Sequence, residues 1–279
     1  MKNKLKSLGI ILLLLFSFYY TNHITEVIQN VDPIMKKIRE NENNFNISSK
    51  DAIINGNTIQ VGKNGYKVNY SKSYQKMKKY GAYNETLMVL KEVPPDISIE
   101  DNYDKLIIKG NNEERVIGLI FIVKENDNLN KILKILNDYQ VTATFFIDGT
   151  FLEKNTTLIK NNKNQEWEIR SYQEEINPTY LKTAISYLKS LSPEDGKYCL
   201  GEEALKTCSK LKMHTIKPNS LLKKEIYREI KNNVENGMLV SMECNTYVEK
   251  ELPTTINYLI SKGYKVANLR DFLHENIAE

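Results

Sequence analysis

Histidine is scarce in this chain, with three in 279 residues: His23, His214 and His274. The three cysteines, Cys199, Cys208 and Cys244, form no C-x-x-C pair and have no histidine at zinc-finger spacing, which argues against a structural zinc site. Ser241 and Cys244 lack a local base and no Gly-x-Ser-x-Gly motif occurs, so a serine or cysteine nucleophile has no sequence support. A strong basic surplus is also missing. Net charge is +4, and Lys2, Lys4 and Lys6 supply three of those charges. The near-neutral remainder excludes nucleic acid as a partner, because binding a phosphate backbone calls for a cationic face.

At the amino terminus, Met-Lys-Asn-Lys-Leu-Lys leads into an apolar or small run from Leu8 to Tyr20, the layout of an export signal. No Ala-x-Ala cleavage site follows Tyr20, so residues 1–23 read as an uncleaved membrane anchor. A cleaved signal is the alternative, since the run is short against the roughly 17–25 residues of a spanning helix. Either way the rest of the chain is expected outside the cytoplasm, anchored or secreted. In that setting a Cys199–Cys208 disulfide and free buried thiols both stay open.

Asp32-Pro33 supplies an N-cap and a first-turn proline, predicting a helical stalk over residues 24–46. Residues 47–114 read as a small α+β domain. It contains short strands broken by the turn-forming pairs Asn55-Gly56 and Asn64-Gly65, then a helix carrying Tyr74, Met77 and Tyr80 that closes at Gly81. From Arg115 strands and helices alternate. Apolar runs at 116–123, 141–147, 167–169, 197–200, 212–216, 238–242 and 264–267 read as strands. Helical patterns fall near 126–138, 150–162, 178–190, 202–210, 220–236 and 253–262, the last opened by Pro253 and closed by Gly263. That alternation implies a parallel α/β sheet or barrel.

Residues 141–149, Val-Thr-Ala-Thr-Phe-Phe-Ile-Asp-Gly, resemble the k-A-T-F-F-v-x-G strand of the polysaccharide deacetylase (NodB-homology) family. The resemblance extends over about residues 115–273 and implies a distorted (β/α)7 deacetylase-like barrel over residues 115–279. In that family a divalent metal is held by an aspartate and two histidines, and it polarises the amide and activates water. The chemistry does not carry over. Where the family reads T-F-D-D-G, this chain reads Ile120-Phe121-Ile122-Val123-Lys124; Tyr172 and Ile176 occupy the metal-histidine positions, and Met242 stands at the general-acid histidine. No His-x-x-x-His or Asp-Asp pair occurs elsewhere to compensate, and the three histidines read as packed or exposed residues without chemical duty. The resemblance therefore leaves no catalytic residue, no metal ligand and no cofactor. A substitute metal site would have to use Asp148, Glu174, Glu175 and Glu243.

What remains is recognition. Tyr172, Lys217, Glu243, Tyr247 and Arg270 lie at or near predicted strand ends, where they are candidates to bind sugar rings and hydroxyls. The expected function is that of an extracytoplasmic pseudoenzyme binding a cell-wall or other envelope glycan, or an envelope partner. A divergent carbohydrate-acting hydrolase with a relocated site is the alternative, and a purely structural or partner-binding envelope protein is a third.

Overall fold

A computed structural model describes residues 30–124, 128–170, 177–219 and 221–274, together with positions 11, 13, 16 and 17. The expected anchor lies almost wholly outside these residues. Among the described residues no helix is long and apolar enough to cross a membrane. The chain divides into two compact units, Met1–Ser49 with Gly65–Val93, and Lys50–Asn64 with Pro94–Glu279. In chain order the strands are β1 (Ile53–Asn55), β2 (Thr58–Gln60), β3 (Gly65–Val68), β4 (Leu90–Val93), β5 (Leu106–Lys109), β6 (Val116–Ile122), β7 (Thr144–Ile147), β8 (Glu166–Ile169), β9 (Tyr198–Leu200), β10 (His214–Ile216), β11 (Leu221–Leu222), β12 (Leu239–Glu243) and β13 (Lys265–Ala267).

In the smaller unit the helix Pro33–Glu40 starts as expected, with the Asp32 carboxylate accepting from the Ile34 amide. It is not a free stalk. Met35 and Ile38 are buried in one cluster with Val68, Tyr74 and Met77, because the apolar stripes of helices Pro33–Glu40 and Tyr70–Tyr80 need a common cover. β3 pairs antiparallel with β4. Gly65 opens β3 instead of making a hairpin turn: a Cβ there would lie 2.4 Å from the Ile47 carbonyl, so glycine serves a close backbone approach. The Asn55-Gly56 turn does form, with Gly56 at φ +60° between β1 and β2.

The larger unit holds two sheets. One has the order β11-β12-β6-β7-β8, with β13 also on β6; the other has the order β1-β2-β5-β10-β9. Every pairing in the first is parallel, as the strand–helix alternation predicts. The second draws β1, β2 and β5 from stretches that the sequence places in the small domain, and joins them to β9 and β10. Pairing, which an apolar pattern does not specify, assigns these stretches to the larger unit.

The α/β strand–helix architecture is as expected, but the distorted (β/α)7 barrel does not close, because the strands remain in two sheets. At the step from β8 to β9, the Glu168 carboxylate takes the amides a ladder would use: Gly196 at 3.1 Å, Lys197 at 3.0 and 2.9 Å, and Tyr198 at 3.0 Å.

Strand alternation sorts the side chains into two cores. Ile117, Leu119, Phe121, Phe145, Trp167, Val240 and Met242 pack with the helices, including Leu129, Ile132, Leu133 and Leu136 from helix Leu129–Asp138. Ile120, Phe146, Tyr198, Ile216 and Leu239 form the second core. The last long helix begins at Thr246 under an Asn245 cap and carries Pro253 internally. The cap decided its start. The region expected as one helix over 220–236 contains β11 and the helix Ile226–Asn233.

Candidate functional site

In sheets of this kind ligand sites lie at the carboxyl ends of the strands. The motif strand β7 ends there at Asp148, whose carboxylate accepts from the Phe151 amide at 2.7 Å and starts the helix Gly149–Lys154. Gly149 follows for a steric reason. Its amide donates to the Tyr180 hydroxyl at 3.0 Å, and a Cβ would come within 2.3 Å of that oxygen. The motif thus fixes a strand-to-helix turn, and Asp148 is occupied as its cap.

At the end of β6, Ile122 and Val123 are 8% and 1% exposed. Val123 belongs to the core between sheet and helices, and its amide donates to the Phe146 carbonyl at 3.0 Å. Opposite Ile122 in the ladder stands Glu243, ion-paired with Lys124 and, at 3.4 Å, with Lys223. Burial works to raise this carboxyl, but the hydrogen bonds and charges of Lys124 and Lys223 outweigh it and hold the group below the usual carboxylate range. Ionised and neutralised by two ammonium groups, Glu243 has no proton to donate at neutral pH and is a poor base. Met242, at the position matched to the general-acid histidine, packs on the helix side of the sheet; alternation directs Ser241 and Glu243 to the other face. Burial pushes the Cys244 thiol up to about 12, so thiolate chemistry is unavailable at neutral pH.

These side chains do not fit the deacetylase metal. Two aliphatic residues stand at the β6 end, Asp148 caps a helix, and Glu243 is held by lysines. Among the described residues no group of three or more His, Cys, Asp or Glu could hold a metal ion. Tyr172, Glu174, Glu175 and Ile176 lie outside the described residues.

The other candidates are scattered. Tyr247 is 65% exposed in the first turn of helix Thr246–Ser261, four residues after Glu243. Lys217 follows β10 in the other sheet and pairs with Glu202 at 2.5 Å. Arg270 sits at the opposite end of the fold: its amide donates to Glu166 at the start of β8, and its guanidinium reaches Asp195 at 2.5 Å and Glu166 at 3.7 Å. The Thr144 hydroxyl also donates to Glu166, at 2.5 Å. Burial, reinforced by the Asp195 charge, raises the Glu166 carboxyl to about 7 against the opposing pull of Thr144 and Arg270. Sequence reasoning missed Glu166, Glu168 and Asp195. The one available signal was the presence of two glutamates at alternate positions in a strand flanked by buried residues.

A family model described as polysaccharide deacetylase matches residues 109–185, from the end of β5 into the helix Pro178–Leu191 and across the motif strand. That match takes in about a quarter of the chain, and within it the chain is similar to the polysaccharide deacetylases. Its fold is similar to that of BA3943 from Bacillus anthracis, described as a CE4 family pseudoenzyme (TM-score 0.65, 23% identity, 88% of this chain and 96% of that one). It is also similar to PdaA from Bacillus subtilis, a family 4 carbohydrate esterase (TM-score 0.55, 20% identity, 66% of this chain and 93% of that one). The uncharacterized protein YlxY of Bacillus subtilis (strain 168) is 33% identical over 131 residues, 46% of this chain. The chain spans 41% of that relative's length. At the positions matched to the family's chemical residues, this sequence has Ile122, Val123, Tyr172, Ile176 and Met242.

Proposed function

We propose that this chain is a deacetylase-like pseudoenzyme that binds cell-envelope glycan outside the cytoplasm. The observation that carries this reading is the end of β6, where Ile122 and Val123 stand in place of a base and a ligand and the nearest strand-end acid, Glu243, is clamped by Lys124 and Lys223. The description of BA3943 as a pseudoenzyme supports it. Recognition would fall to the polar rim near Glu243 and Tyr247, with Tyr172 as a further candidate. The basic, apolar amino-terminal segment supports an anchored or exported location.

Protein purified without chelators and incubated with zinc, cobalt or manganese is expected to retain no equivalent of metal by elemental analysis and to release no acetate from N-acetylated glycan. It is expected to sediment with insoluble peptidoglycan, less so after Tyr247→Ala. One retained equivalent of metal, or acetate release lost on changing Asp148 or Glu243, would establish the relocated hydrolase instead. Absence of glycan binding would eliminate the recognition role.

A further inference from the structure

A cavity of about 820 Å³ opens within the larger unit, with a lining that does not include Ile122, Val123 or Met242. Tyr198 and His214, the first residues of β9 and β10, line it, as does Arg270 at the starts of β7 and β8. It therefore lies at the amino-terminal ends of these strands. Its volume is within the range of small-molecule sites, about 300–1,000 Å³.

The charged part of the lining is mostly cationic. Lys182, Lys189, Lys197, Lys212 and Arg270 face it, against two carboxylates, Glu100 and Asp101. Lys197 pairs with Glu194 and Arg270 with Asp195, whereas Lys182, Lys189 and Lys212 have no acidic partner among the described residues. Glu100 is engaged: it accepts from the Tyr103 hydroxyl at 2.6 Å and lies 3.4 Å from the His214 ring nitrogen. Tyr103 in turn stacks on His214 with ring centroids 4.5 Å apart. The acid is thus built into an aromatic wall, and free positive charge faces it from the helix Pro178–Leu191.

Lys182, Ser186 and Lys189 follow at four- and three-residue steps, so they share one helix face. The two lysines are separated by about 10 Å along the axis, a distance comparable to two sugar rings. A compact anion such as free phosphate would meet only one of them. A polyphosphate backbone suits the site poorly, since the chain outside its first residues is nearly neutral.

We propose that this cavity is a second binding site, for an anionic saccharide whose charged groups fall on alternate rings. Lys182 and Lys189 would hold the charges, and the Tyr103–His214 wall would offer apolar ring surface.

The test is calorimetric titration of the full chain with trigalacturonate, a phosphorylated trisaccharide, neutral chitotriose and inorganic phosphate. The control is a Lys182→Glu/Lys189→Glu variant, whose two positions are exposed and whose fold is checked by circular dichroism. Saturable binding of one or both charged trisaccharides is expected, at least about ten-fold tighter than chitotriose, about ten-fold weaker in the variant and weaker in high salt. Which charged trisaccharide binds tighter distinguishes carboxylate from phosphate as the natural group. Tyr247→Ala is expected to leave this binding unchanged, so the two sites fail independently. No saturable binding, equal binding of chitotriose or of inorganic phosphate, or indifference to the double variant overturns the proposal.

Discussion

Replacing Glu168 tests how the two sheets of the larger unit are joined. Its carboxylate is buried at the step from β8 to β9 and accepts from three successive amides, Gly196, Lys197 and Tyr198, at 2.9 to 3.1 Å. Glu168→Leu keeps nearly the same volume, so little cavity is created, but it strands those donors. Leaving a buried donor unpaired costs about 1–3 kcal/mol. Part of the sum is offset because the mutant no longer buries an acid whose pKa burial and the Glu166 charge raise well above normal. The net expected loss is about 3–5 kcal/mol. Glu168→Gln retains one acceptor oxygen and should lose about 1–2 kcal/mol. Urea denaturation followed by tryptophan fluorescence gives the ordering, and Trp167, adjacent in β8, is the chain's single tryptophan. Hydrogen exchange supplies the local readout, because the amides of 196–198 should lose protection before the rest of β9 and β10. If Glu168→Leu unfolds within about 0.5 kcal/mol of the parent and those amides stay protected, the carboxylate does not hold the junction.

Two measurements accompany it, beyond the metal and saccharide experiments above. The Glu166 carboxyl titrates near 4.5 when unfolded and about 7 when folded. The folded state therefore binds the proton more tightly, and this group's contribution is complete below pH 4.5 and lost as pH rises through 7. Stability should fall by at most on the order of 3 kcal/mol across that window, Glu166→Gln should flatten the slope, and an unchanged slope would refute the assignment. Cys199 and Cys208 form a disulfide across nine positions, so reduction should lower stability by about 2–3 kcal/mol; an unchanged unfolding midpoint in dithiothreitol would contradict it.

The sequence by itself determined the elements whose cause is local. Asp32-Pro33 starts a helix, Asn55-Gly56 turns a hairpin, and Leu129, Ile132, Leu133 and Leu136 share a buried face because helical periodicity aligns them. The motif Ala143 to Gly149 likewise pointed to one family, and its glycine has a local steric reason beside Tyr180. The expectation that the family's chemistry does not carry over rests on the sequence alone, since Ile122 and Val123 have no donor atom for a metal.

Tertiary structure alone decided pairing. Whether β5 joins β3 and β4 or β10 depends on contacts distant in sequence, and apolar runs of similar length do not encode that choice. It also decided the environment of charge: Arg270 and Glu243, both read as strand-end residues, lie at opposite ends of the fold, one against buried acids and one between lysines. A carboxylate's chemistry is set by its neighbours, and for Glu166, Glu168 and Glu243 those neighbours come together only when the sheets assemble.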